Sequence, residues 1–207
     1  MQRLCLHSLK KPPSVLNVPV SDERENLLPL SSSCLSPPSL CCPFSLSLAL
    51  SLSPPTGLGR SGSAEAPAAV GQLAPAGFLR EVCEQLSLSP VVVISPSLSG
   101  MYSLPFVLQH PALVRAYVPV APICTENFTA EQYRGVKVPS LIVYGDQDTQ
   151  LAERSLNNLR NLANHSVVVM KGAGHPCYLD DPDTWHRALT GFLDTLCSSG
   201  GTPDSHT

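Results

Sequence analysis

From Pro75 onward, the apolar positions of the chain switch repeatedly between two periods. Val91-Val92-Val93-Ile94 is a continuous β-branched run, the signature of a strand buried on both faces. Ala116 to Ala121, Ser140 to Tyr144 and Ser166 to Met170 predict three more strands, the first of them interrupted by Pro119. Helical spacing fills the intervals. Pro75 to Leu88 places Phe78, Leu79, Val82, Cys83 and Leu86 on one face, with Pro75 near the first turn. Met101 to Gln109 predicts a helix that Pro105 should kink or end early. Thr129 to Arg134 predicts a short helix, and Leu151 to Leu162 a longer one with Leu151, Ser155, Leu156, Leu159 and Leu162 on one side. Asp181-Pro182 opens a final helix whose inner face holds Trp185, Ala188, Leu189, Phe192, Leu193 and Leu196. Four buried strands alternating with helices predict an α/β fold with a parallel sheet covered on both faces. Such sheets place their sites at the C-terminal ends of the strands.

The first third of the chain carries neither period. Of the residues from Ser31 to Pro55, 24 of 25 are Ser, Leu, Pro, Cys or Phe, with Ala49 the exception. Low complexity and dense proline argue against a packed core. All five residue types have pyrimidine-rich codons, so we expect this segment to be translated from a pyrimidine-rich tract beside a splice site. Residues 1–63 are therefore expected to be a low-complexity, disordered segment, 64–197 the folded core and 198–207 a polar, disordered tail. Leu46 to Leu52 is the most apolar stretch near the N-terminus, yet serines break it. It is too short to span a bilayer and too far in for an ordinary signal peptide.

A net charge of −3 supplies no basic field for nucleic acid or an acidic membrane surface, so neither is expected as a partner. The eight cysteines include no C-x-x-C pair, so metal-ligand spacing is absent and no metal is expected. They read as thiols of a reduced compartment.

Chemistry gathers after three of the strands. Ser95-Pro96-Ser97-Leu98-Ser99-Gly100 joins the first strand to a helix in the pattern small-x-Ser-x-small. That pattern marks a nucleophile elbow, a sharp turn that exposes the middle hydroxyl, here Ser97. The third strand ends in Gly145-Asp146-Gln147-Asp148 and the fourth in Gly172-Ala173-Gly174-His175. A serine hydroxyl is a poor nucleophile until a base takes its proton, and a histidine serves as that base near neutral pH. A carboxylate then fixes the imidazole tautomer. Ser97, an Asp and His175 follow one another in the order Ser, Asp, His. Asp146 and Asp148 compete for the acid position, and either can instead form a turn. His7, His110, His165, His186 and His206 read as surface residues. Cys177, two positions from His175, reads either as a redox-sensitive thiol near the site or as an inert one, with the inert reading favoured, and Cys124 lacks an elbow around it.

The elbow from Val93 to Phe106 resembles that of the α/β-hydrolase domain-containing 14 family, in the α/β-hydrolase superfamily. Pro119 to Thr125, Leu141 to Asp148 and Met170 to Asp180 carry the same resemblance, which runs from about Gly57 to Leu196. It places the acid three residues after Gly145, which favours Asp148. It implies an α/β-hydrolase fold, a triad of Ser97, Asp148 and His175, and an oxyanion-binding backbone N–H at Leu98. It further implies a cytoplasmic and nuclear serine hydrolase or acyltransferase acting on small acyl groups, needing no cofactor. Removal of acetyl groups from protein lysines, with coenzyme A as acyl acceptor, and contact with a transcription-factor-IID component also come from the resemblance alone.

The likeness starts abruptly. Gly57-Leu58-Gly59-Arg60-Ser61 is similar to the glycine-rich loop after the family's fourth strand, and nothing in residues 1–56 resembles the earlier strands. The chain is thus expected to hold the C-terminal half of the fold, about four parallel strands, as an N-terminally altered or truncated form. Three consequences are expected. The second oxyanion donor, which comes from the loop after the family's third strand, has no visible source. Val91 to Ile94 becomes an open, apolar sheet edge, and the chain is poorly soluble. The alternative function is a catalytically impaired isoform acting only through protein contacts.

Overall fold

The computed structural model describes residues 67–198 and the backbone of Leu48–Ala49. Apart from Leu48–Ala49, the expectations for residues 1–63, including the glycine-rich loop at Gly57 to Ser61, lie outside the described residues, as does the tail from 199 onward.

Among the described residues, five parallel strands form one sheet in sequence order: β1 (Leu48–Ala49), β2 (Val91–Pro96), β3 (Val114–Val120), β4 (Ser140–Gly145) and β5 (His165–Met170). Helices α1 (Gly77–Gln85), α2 (Gly100–Gln109), α3 (Ala130–Gly135), α4 (Ala152–Leu159), α5 (Cys177–Asp180) and α6 (Pro182–Ser198) connect or cover them. The four strands predicted from the sequence are all present.

One expectation is overturned. Leu48 and Ala49, inside the low-complexity segment, pair in parallel with Val93 and Ile94. The elbow strand is therefore not an open edge along those two residues. The physical reason is local: alternating Ser and Leu carry no helix period, and an extended backbone satisfies its own N–H and C=O groups against any strand edge left available.

Residues on successive positions of each strand feed two separate cores. Val91 and Val93 of β2, Tyr117 of β3 and Ile142 of β4 join Leu79, Cys83, Leu104, Phe106 and Leu159 on the face covered by α1, α2 and α4. Val92, Val118, Val120, Leu141 and Val143 face the other way, toward Trp185, Leu189, Phe192 and Leu196 of α6. The two layers are unequal. Leu104 and Leu159 are 0% exposed, whereas every inward side chain of α6 is only half-buried.

The early end expected at Pro105 and the interruption expected at Pro119 are corrected. Pro105 does not shorten α2, and the helix runs to Gln109. The carbonyl that a residue at 105 would normally reach is that of Met101, and it accepts the N–H of Ala74 instead, at 2.9 Å. Likewise β3 runs through Pro119. Its ladder to β4 registers Tyr117 with Ser140 and Val120 with Val143 but skips the residues between, where Pro119 has no N–H to donate.

Helix starts follow their sequence signals. Thr129 and Gln132 form a reciprocal capping box, with each side chain accepting the other's backbone N–H at 3.2 and 2.8 Å. Asp181 accepts the N–H of Thr184 ahead of Pro182, the first residue of α6.

The two layers make a stability prediction. Leu104→Ala should cost about 2–5 kcal/mol in urea unfolding, as for a fully buried leucine, and Leu189→Ala markedly less. Equal losses would show that α6 is as tightly packed as α2.

Candidate active site

The C-terminal ends of β2, β4 and β5 bring together the three side chains singled out in the sequence. Ser97 follows β2 directly and opens a single 3-10 turn, Ser97–Ser99, that runs into α2. Its φ is +45°, a left-handed value that costs a non-glycine residue about 1–3 kcal/mol. The surroundings hold it there. The Ser97 carbonyl accepts the N–H of Ile123, in the loop after β3, at 3.0 Å. Gly100 lets α2 press onto that loop: a Cβ there would overlap the Ile123 carbonyl oxygen and lie 2.8 Å from Pro122 Cβ. Glycine at position 100 is thus required by contact between the turn and the next loop.

His175 Nε2 lies 2.7 Å from Ser97 Oγ, and His175 Nδ1 lies 2.7 Å from Asp148 Oδ2. Asp148 Oδ1 accepts the N–H groups of Leu151 at 3.1 Å and Gln150 at 3.3 Å. The Asp148 side chain is 3% exposed and that of His175 36%. Burial on its own would raise the Asp148 pKa. The hydrogen bonds from His175 and the Leu151 N–H, the imidazole charge and the Gln150 N–H together outweigh it, and the net direction is down. An ionised carboxylate only accepts, so Nδ1 must donate. In the neutral imidazole Nε2 is then left as the acceptor for the Ser97 hydroxyl.

Asp146, the competing carboxylate, is not in this chain of contacts. Its Oδ1 accepts the Gly172 N–H at 2.8 Å and the Gln147 side-chain amide at 3.1 Å, and its Oδ2 lies 3.3 Å from Lys171 Nζ. The Gln147 and Gly172 hydrogen bonds hold its pKa below the ordinary carboxylate value. Asp146 therefore ties the β4 loop to the β5 loop. Gly145 makes the same junction by its size, since a Cβ there would overlap the carbonyl oxygens of Ala173 and Gly174. Asp180, which the sequence reading did not single out, accepts the Gly174 N–H at 2.7 Å. Carboxylates thus hold the backbone at Gly172 and Gly174, just before His175. The available signal was an acid five residues after the histidine in an otherwise apolar helical turn.

Leu98, the expected oxyanion donor, is the residue after Ser97 and packs its side chain into the α2-side core. The glycine-rich stretch at Gly57 to Ser61 lies outside the described residues. The cysteines near the site are closed thiols. Cys177 is 0% exposed, and burial above all pushes it up to about 11. Cys124 is buried, its Sγ donates to the Gly71 carbonyl at 3.4 Å, and burial followed by Glu126 raises its pKa. Among the described residues no cluster of His, Cys, Asp or Glu could hold a metal, and no helix is long and apolar enough to cross a membrane. A cleft of about 760 Å³ opens between α6 and the N-terminal ends of the strands, lined by Arg115, His165 and Arg187. It lies at the opposite end of the sheet from Ser97.

The parallel sheet, the elbow after β2 and the loops after β4 and β5 define an α/β-hydrolase fold. Solved structures agree with this. A proposed CIB-like hydrolase from Thermoplasma acidophilum superposes with a TM-score of 0.54 at 23% identity, covering 58% of each chain. BpoC of Mycobacterium tuberculosis H37Rv, a proposed non-heme bromoperoxidase, gives 0.57 at 13% identity over 68% of this chain and 79% of its own. These likenesses show the α/β-hydrolase fold. Among named relatives, ABHD14B of Pongo abelii, named as a proposed protein-lysine deacylase, is 57% identical over 140 residues, 68% of this chain and 66% of the relative. ABHD14B of Homo sapiens is 56% identical over the same shares. ABHD14A of Mus musculus is 49% identical over 119 residues, 58% of this chain and 48% of the relative. The chain therefore spans just under two thirds of the length of the ABHD14B proteins it matches. No family model matches it.

Folding lowers the Asp148 pKa, so its stabilising contribution is fully present above the unfolded carboxyl value of about 4 and drains away as pH falls through the folded value. Thermal unfolding followed from pH 7 down to pH 3 should show a steep acid limb in the parent. Asp148→Asn should flatten it, leaving the smaller limb due to Asp146 and Asp181, whose pKa values are also lowered. An unchanged acid limb in Asp148→Asn would contradict this assignment.

Proposed function

We propose that the chain is a serine hydrolase or acyltransferase that accepts small acyl groups, with Ser97 as nucleophile, His175 as base and Asp148 as its orienting acid. The observation that carries this reading is the unbroken line of contacts from Ser97 Oγ through both nitrogens of His175 to Asp148, each at 2.7 Å.

The chemistry follows from that line. Ser97 Oγ attacks the acyl carbonyl carbon as its proton passes to His175 Nε2. The resulting imidazolium is stabilised by the ionised Asp148, and the Leu98 N–H donates to the developing oxyanion. Collapse breaks the bond to the leaving alcohol or amine, which takes the proton back from Nε2. The acyl-Ser97 ester is then attacked by water, giving a carboxylic acid, or by a thiol, giving a thioester. In either case His175 accepts the attacking group's proton and returns it to Ser97 Oγ. No cofactor is needed for these steps.

An acylated protein lysine is the substrate we favour, supported by the name of the ABHD14B relatives. A coenzyme A thiol as second-step acceptor, a transcription-factor-IID component as partner and a cytoplasmic and nuclear location rest on the family resemblance alone. A second reading has its own observation: Leu98 is the one oxyanion donor that we assign among the described residues. A missing second donor lowers such a rate by about 10²–10³. On that reading the chain acts through protein contacts with little turnover.

A fluorophosphonate probe separates these. Covalent labelling should occur in the parent and vanish in Ser97→Ala and His175→Ala, while Asp148→Asn slows it by up to about 10⁴. Labelling that survives Ser97→Ala, or its absence from folded parent, would refute the nucleophile. Labelling without turnover of a short acyl ester would favour the second reading.

A further inference from the structure

Directly beneath the elbow lie three buried hydroxyls that the mechanism above does not use. Ser95, two residues before Ser97, is 0% exposed, Ser103 on α2 is 2% exposed and Tyr117 on β3 is 0% exposed. Ser95 Oγ lies 2.6 Å from Ser103 Oγ, and Ser103 Oγ lies 3.2 Å from Tyr117 Oη. Ser103 thus bridges Ser95 and Tyr117, and the three hydroxyls form one buried network. Burial pushes the Tyr117 phenol up to about 12 against the lowering effect of the two serines, so it stays a proton donor at neutral pH.

The placement follows from the sheet. Tyr117 is the register partner of Val93, and Ser95 is on the same face as Val93, so all three look toward α2. Their neighbours there are apolar: Val93, Met101, Leu104 and Phe106. Burying a hydroxyl among such residues is costly unless it is hydrogen-bonded, and here the three groups supply one another's bonds. The elbow pattern itself asks position 95 only to be small, which glycine or alanine would satisfy. The hydroxyl of Ser95 exceeds that steric need.

We infer that Ser95, Ser103 and Tyr117 are positioning residues: their hydroxyl network clasps the end of β2 to α2 and β3 and thereby holds the strained turn that presents Ser97 to His175. The network spans the turn, anchoring the chain two residues before Ser97 and six residues after it. A left-handed φ at a non-glycine residue persists only where neighbouring contacts over-determine it. The Ile123 N–H on the Ser97 carbonyl fixes the outer side of the turn, and the hydroxyl network fixes its inner side. The inference concerns the same site as the proposed function and uses that reading for its second readout alone.

The test compares the full chain with Tyr117→Phe and Ser103→Ala. Each removes a single oxygen without adding volume. The first readout is amide hydrogen exchange of a peptide covering the elbow and of one covering α6. The network predicts exchange about tenfold faster at the elbow in both variants, with α6 unchanged. The second readout is the fluorophosphonate labelling rate per folded molecule. It should fall by roughly 10-fold to 100-fold, as for a displaced reacting group, with its pH midpoint unmoved. Elbow exchange that stays at the parent rate, or labelling per folded molecule that is unchanged while only the melting temperature drops, overturns the inference. A parent that never labels, while the variants show the local exchange response, overturns the nucleophile and supports the network. If Tyr117→Phe loses its fold, Ser103→Ala reads the same exchange.

Discussion

The site depends on one backbone constraint, the left-handed turn at Ser97. A serine in this conformation is held against its own preference, so every contact around it must agree. Gly100 admits the next loop, the Ile123 N–H takes the Ser97 carbonyl, and β2 arrives straight from a core in which Val91, Val92 and Val93 are buried. The two opposite faces of β2 feed two cores, which leaves the strand little freedom to shift. Rigidity below the turn lets strain exist above it.

Parallel topology supplies the rest. Ser97, Asp148 and His175 are 51 and 27 residues apart in sequence, yet each follows a strand that ends at the same edge of the sheet. The loops after β4 and β5 are further fastened to each other by Asp146 on Gly172, by the Gln147 N–H on the Ala173 carbonyl and by the bare Gly145. The imidazole is therefore positioned by backbone contacts as well as by Asp148. The neighbouring carboxylates divide the labour. Asp148 is buried and faces the ring nitrogen, while Asp146 is more exposed and faces backbone.

Much of this was legible in the sequence where a local signal existed. Val91 to Ile94 announces a doubly buried strand, the small residues around Ser97 announce the elbow, and Gly172 to Gly174 announces the loop that carries His175. The limits fell where a residue's role is decided by a distant partner. Pro105 and Pro119 look like breaks because their missing N–H is a local fact, whereas the compensation at Ala74 or the gap in the β3–β4 ladder is not. Leu48 and Ala49 carry no strand signal apart from their neighbourhood, and the vacancy beside β2 selects them. Ser95 reads as merely small until Ser103 and Tyr117 come within reach of its hydroxyl.

Pro105 illustrates a wider point about how this chain is wired. By withholding a donor from Met101, the proline turns an interior helix carbonyl into an outward socket, and Ala74 plugs into it. The segment leading into α1 is thereby moored to α2 through backbone as well as through side chains. A residue with an N–H at 105 would complete the helix and at the same time compete for the mooring point. An apparent improvement in local helix propensity would then loosen a connection between parts of the chain about thirty residues apart.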